Sequence, residues 1–179
     1  VTGTRTDPAS DAVDVFVAAM REAFDPDSAS PPAGRGSTTV RFFAGDENAL
    51  QVWDPDARGG CADPFLWVRV PRRFRSRTDT FPQAYVGDWG CNQAGVISVV
   101  EIEVGVGRCA SIDPAPKWSD LERENEISLD DSWRIELVLR RGVCKLRTPQ
   151  RAVATDTVGV AGPAGGAIAW SGVAYVQLI

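Results

Sequence analysis

The sequence predicts an α+β fold, with a mixed, largely antiparallel sheet, two helices packed on one face and long loop excursions. Two stretches, near the N-terminus and after residue 130, repeat apolar residues at helical spacing. Between and beyond them the chain alternates as strands do. Helices set apart by hairpin-type strands fold together on one side of a sheet. The 179 residues are read as one domain, 1–179, with a long loop and strand excursion at 54–95.

The elements follow in order. Residues 7–24 form the first predicted helix. Asp7-Pro8 provides an N-cap followed by proline at the first helical position, where its missing N–H costs nothing. Val13, Phe16, Val17, Met20 and Phe24 then fall on one stripe, and Asp25-Pro26 ends the helix. Short strands are expected at 38–43 and 49–53, and a longer one at 65–74. In that longer strand Trp67, Arg69 and Arg73 would share a face, while Arg72 and Phe74 break the alternation after Pro71, as where a strand reaches an edge or a bulge. Residues 76–95 carry Pro, Gly, Asp and Asn with little periodicity and read as an excursion.

From 96 to 109 the pattern is strongly β. Val100, Ile102, Val104 and Val106 point one way, and Glu101, Glu103, Gly105 and Gly107 the other. A short helical turn is expected near 119, then a longer helix over 130–146. Ser119 with Glu122 and Ser128 with Asp131 are candidate capping boxes. Ile135, Val138, Leu139, Gly142, Val143 and Leu146 make the predicted buried face, although Trp133, Ile135, Leu137 and Leu139 also alternate as a strand would. Two strands, 152–160 and 167–178, close the chain around a Gly- and Pro-rich turn.

The chain contains no histidine, which removes every Ser-His-Asp or Cys-His constellation. Two carboxylate pairs remain, Glu101 with Glu103 and Asp130 with Asp131. The first reads as the solvent face of a strand. The second suits the first turn of a helix, where the helix dipole favours negative charge. GVGRC at 105–109 has two glycines but lies inside a strand, so it is no phosphate loop. No catalytic residue, metal site or cofactor is expected.

Cys61, Cys91, Cys109 and Cys144 are widely spaced and lack a C-x-x-C pair, which argues against zinc. They read as buried thiols, Cys109 and Cys144 reduced among them, with a Cys61–Cys91 bridge as the alternative. The first residues, VTGTRTDPAS, show neither a charged nor an apolar signal segment. No apolar run approaches the roughly 20 residues a membrane span needs.

The segment LWVRVPRRFRSR, 66–77, is the most unusual feature of a chain with net charge -5. A nucleic-acid domain is usually basic overall, and this one is acidic. A charge-protected edge strand, a protein interface and a nucleic-acid grip are the three readings. The protein interface is the expectation adopted. Arg69, Arg72, Arg73, Arg75 and Arg77 would meet carboxylates from loops or from 119–131 of a neighbour.

VVEIEVGVGRCA, then WSDLERENEISLDDSWRIELVLRRGVCKLR, then RAVATDTVGVAGPAGGAIAWSGVAYVQLI resemble the tail terminator proteins of siphophages infecting actinobacteria. The likeness is a succession of a long strand, an acidic helix with D-D-S-W and a G-P-x-G-G-x-x-x-W hairpin, covering about residues 40–179. The 54–95 region departs from the compact members of that family. The resemblance implies an α+β subunit of a ring, typically hexameric, that caps the tail tube and meets a head-side connector or stopper. DNA would pass through its lumen without sequence-specific binding. The place implied is the head-proximal end of the virion tail, reached by assembly in the host cytoplasm. A head-to-tail adaptor, a tail tube subunit, or a secreted disulfide-bridged β-rich binding module are the alternatives.

Overall fold

In the computed structural model of the chain, residues 7–45, 50, 53, 60–87, 94–111, 113–164 and 166–179 are described. Helix α1 spans Ala9–Ala23. Asp7 starts it, its carboxylate accepting the Ala9 N–H at 3.0 Å and its carbonyl that of Ser10 at 3.0 Å. Val13, Phe16, Met20 and Phe24 of the predicted stripe are buried, and Val17 packs at its margin.

The described residues form seven strands: β1 Val40–Ala44, β2 Phe65–Val70, β3 Arg73–Arg77, β4 Val96–Cys109, β5 Val153–Thr155, β6 Gly159–Ala164 and β7 Ala167–Gln177. They build one sheet in the order β1-β2-β4-β7-β5, with β3 joined to β4 and β6 to β7. Only β1 with β2 is parallel among these pairs. The fold is α+β, as the sequence predicts, with a mixed, mostly antiparallel sheet. The strand expected at 49–53 lies largely outside the described residues. Leu50 and Trp53 are described and pack on the sheet, Trp53 stacked on Phe65.

The two faces of the sheet differ. Leu66, Val68, Val100, Ile102, Val104, Val106, Ala174 and Val176 face the helices, and both helices seal this side in one core. The opposite face carries Trp67 over Gly105, where a Cβ would enter the indole ring. Glycine at this cross-strand position leaves room for the aromatic ring. The second half of β4 is therefore buried on both sides, beyond what simple alternation implies.

The second helix, α2, is one continuous element, Trp118–Leu146, rather than a turn followed by a helix from 130. Neither capping box is used. The N-cap residue is Lys117, without a side-chain cap. Ser128 lies mid-helix, where its hydroxyl accepts the Trp170 indole N–H at 2.7 Å. A seryl hydroxyl can cap only where the backbone leaves the helix, and here it does not leave. The predicted inner face is otherwise correct: Ile135, Val138, Leu139, Gly142 and Leu146 are buried, with Val143 at the margin. Gly142 lies against the Phe16 ring, which fills the space a Cβ would take and lets the helices approach closely.

Candidate interaction surface

The arginine run does not act as one group. Between β2 and β3 the pairing with β4 shifts by one residue, from Arg69 opposite Glu103 to Arg73 opposite Val100. One inserted residue at Pro71-Arg72 turns the following side chains to the other face. Arg69 and Arg73 therefore lie on opposite faces, not on the shared face that uninterrupted alternation implies.

On the face away from the helices, Glu103 accepts the Trp67 indole N–H at 2.9 Å and the Arg69 guanidinium at 2.6 Å. The Arg69 side chain retains only 11% of its exposure, so this pair is internal. Arg72 bonds Glu101 at 2.6 Å and lies 4.9 Å over the Phe74 ring, itself edge-on to Tyr175. The glutamates of β4 thus anchor arginines. They are not the bare solvent face that the sequence pattern implies, and they present no uncommitted carboxylate pair for acid–base work.

On the helix side, Arg73, Arg75 and Arg77 form a row along β3. Arg73 bonds Asp7 at the start of α1, and Arg77 reaches Asp79 at 3.3 Å. The Asp7 carboxyl sits below its ordinary value, first because of the Arg73 hydrogen bond. Arg73 and Arg77 remain about half exposed, with side-chain values of 49% and 46%. Exposed ion pairs of this kind contribute little to stability and exchange partners readily. The fully exposed Val86 lies just past Tyr85, whose N–H bonds the Arg75 carbonyl at 2.7 Å.

The second carboxylate pair is not at a helix start. Asp130 and Asp131 stand in the middle of α2, and arginines hold them. Arg108 of β4 forks onto Asp131 at 2.5 and 2.8 Å, and also donates to the carbonyls of Gly34 and Arg35. Burial pushes the Asp131 carboxyl above its ordinary value, while the Arg108 hydrogen bonds pull it down. Arg134 bonds Asp130 at 2.7 Å and the carbonyls of Ala23 and Ser30. Together these arginines fasten the 25–35 loop to α2.

Ahead of that junction, residues 118–130 of α2 include none that is buried. At about 1.5 Å per residue this arm is about 20 Å long. Its outer ridge carries Trp118, Glu122, Glu126, Leu129 and Trp133 at steps of three and four, which align on one face of a helix. Trp118 is 79%, Leu129 69% and Trp133 53% exposed. Beneath the arm is a mostly apolar cavity of about 190 Å³, lined by Leu121, Ile127, Val106, Ile168, Trp170 and Pro163. The sequence reading missed this ridge. The spacing of 118, 129 and 133 against the buried 135, 138 and 142 was the available signal.

The cysteines depart from expectation. Cys61 is bonded to Cys109, and Cys144 is exposed with a free thiol. The pairing of Phe65 with Gly107 brings the turn before β2 to the end of β4, leaving the two Cα atoms 5.3 Å apart. Cys144 is on the outer side of α2. Cys91 lies outside the described residues. Among the described residues no cluster of His, Cys, Asp or Glu could hold a metal, and no helix is long and apolar enough to cross a membrane. No family model matches the sequence, and neither does any curated protein.

Proposed function

We propose that this chain is a structural virion protein of the tail terminator kind, a subunit of a ring that caps the tail tube and meets the head-side connector. The observation that carries this reading is the arm of α2. A helical extension of thirteen residues with no buried side chain and exposed tryptophan and leucine on its ridge suits a surface that is covered in an assembly. The buried second half of α2 already nucleates this helix, so covering the exposed ridge, rather than forming the helix, is what an assembly adds. The arrangement of charge supports a structural rather than a catalytic role. The carboxylates with chemical potential, Glu101, Glu103, Asp130 and Asp131, are each tied to an arginine.

In this role the ring is typically hexameric, and the tail tube protein and connector or stopper are its neighbours. The net charge of -5 suits a lumen that lets DNA pass, because like charge opposes phosphate contact. The protein would assemble in the host cytoplasm and remain at the head-proximal end of the tail. An adaptor or tube subunit would share these properties and differ in position.

The Cys61–Cys109 bond favours a second reading, a secreted β-rich binding module, since disulfides persist in oxidising compartments. Virion surfaces are also such an environment once particles leave the cell. Location separates the two. Gold-labelled antibody raised against the chain should mark the head-proximal tail end of purified particles. Label absent from particles, with the chain free in the medium, would replace this reading by the secreted module.

A further inference from the structure

The arm of α2 and the arginine row of β3 lie at opposite ends of the long strand β4. β3 pairs with residues 96–100 of β4, whereas the cavity beneath the arm is lined by Val106 and Cys109. Ten residues of strand, at about 3.3 Å each, place the two surfaces about 30 Å apart. Their charges are opposite. Residues 118–130 hold five carboxylates, Asp120, Glu122, Glu124, Glu126 and Asp130, against one cation, Arg123. The row holds Arg73, Arg75 and Arg77, flanked by the exposed Val86.

We infer that these surfaces bind each other between copies of this chain, the arm of one copy docking on the β3 row of the next. The occupant of the arm's ridge is therefore a second copy. Arginine suits both parts of the ridge, since its fork takes Glu122 and Glu126 while its plane stacks on the Trp118 and Trp133 rings. The native pairs of Arg73 with Asp7, Arg77 with Asp79 and, on the arm, Glu126 with Arg123 are exposed, so exchanging them for pairs with a neighbour costs little. Arg69 and Arg72 take no part, being held by Glu103 and Glu101 on the other face.

A contact between two different surfaces at opposite ends is head-to-tail. Such contacts repeat, closing into a ring when the rotation allows and extending into a filament when it does not. The inference rests on the ring reading only for closure. The pairing itself follows from the charges and their placement.

The test uses two variants of the full chain. Arg73→Glu with Arg77→Glu spoils the row and keeps the arm. Glu122→Gln with Glu126→Gln and Trp118→Ala spoils the arm without creating a partner for the reversed row, and keeps its own row. Each alone should sediment as a monomer. Mixed, they retain one compatible contact and should form a one-to-one dimer and nothing larger. The neutral pair Arg73→Gln and Arg77→Gln puts no like charge beside Asp7. It should weaken self-association by about tenfold even if the reversed chain does not fold. Wild-type chain that stays monomeric at every concentration, variants that assemble as wild type does, or a mixture that stays monomeric would overturn the inference. Normal wild-type rings with unaffected variants would sink the pairing alone. A one-to-one dimer from the mixture, with wild type growing into open filaments, would sink the ring and leave the pairing standing.

Discussion

The two halves of α2 share one helical backbone and differ in what holds them. Residues 131–146 bury Ile135, Val138, Leu139, Gly142 and Leu146 against α1 and the sheet. Residues 118–130 bury none, and are tied to the rest by polar contacts: Arg123 to the Ala33 carbonyl, Glu124 to the Ser111 N–H, Asp130 to the Ala33 N–H. Apolar residues occur in both halves, so hydrophobicity alone does not separate core from surface. Their angular position does. In the first half Trp118 and Leu129 turn away from the sheet, while Leu121 and Ile127 only line the cavity beneath. In the second half the apolar face of Ile135, Val138 and Leu139 is buried. The second half is packed into the core, and the first is a half-exposed extension held by it.

If this contrast is right, substitutions should separate cleanly into those that affect stability and those that affect assembly. The largest loss of stability should come at Phe16, fully buried against Gly142. Phe16→Ala should cost about 4 kcal/mol in denaturant unfolding, and a value below about 1 kcal/mol would mean the helix crossing is not the core. Next comes the junction between the halves. Arg108→Met leaves the Asp131 carboxylate buried without its fork and should cost about 3 kcal/mol at neutral pH. Without Arg108 the carboxyl is raised further above its ordinary value of 3.8, so the folded state takes up its proton before the unfolded chain does. The deficit should therefore be greatest at neutral pH and shrink as pH falls. A deficit that grows in acid would contradict the assignment.

Gly142→Ala sharpens the comparison further. Alanine is the better helix former by about 1 kcal/mol, yet here its methyl enters the Phe16 ring. The net effect should be a loss of about 1–2 kcal/mol, opposite in sign to the gain expected at an open helical glycine. Trp118→Ala should change the stability of the isolated subunit least, by no more than about 0.5 kcal/mol. In the assembly the same change should release the subunit. A large monomer destabilisation would show that the arm belongs to the core.

Much of this was legible in the sequence. The α1 stripe, the alternation of β4 and the inner face of α2 follow from period alone, because each buries one face. Other features depend on pairing. The break after Pro71 is legible in the strand itself, but its effect on which face each arginine takes is set by the register with β4. The one-residue shift at Pro71-Arg72 sends Arg69 to one face of the sheet and Arg73, Arg75 and Arg77 to the other. Cys109 meets Cys61 only because β2 and β4 are in the register that sets Phe65 opposite Gly107. The Gly- and Pro-rich segment around 159–164 looked like a turn and forms β6, an edge strand where the ladder tolerates proline. Ser119 and Ser128 looked like helix starts, because a capping pattern records what a side chain can do and not whether the backbone breaks there. The continuity of α2 was lost with that reading, and the ridge of Trp118, Leu129 and Trp133 with it.

The central claim is that this chain works by assembling with copies of itself. Native mass spectrometry of the purified full-length chain tests it most directly. The expected result is a closed species at a whole multiple of the subunit mass, six being the typical number, that dissociates as salt rises because charge pairs hold its register. A monomer at every concentration and at low salt would contradict the account.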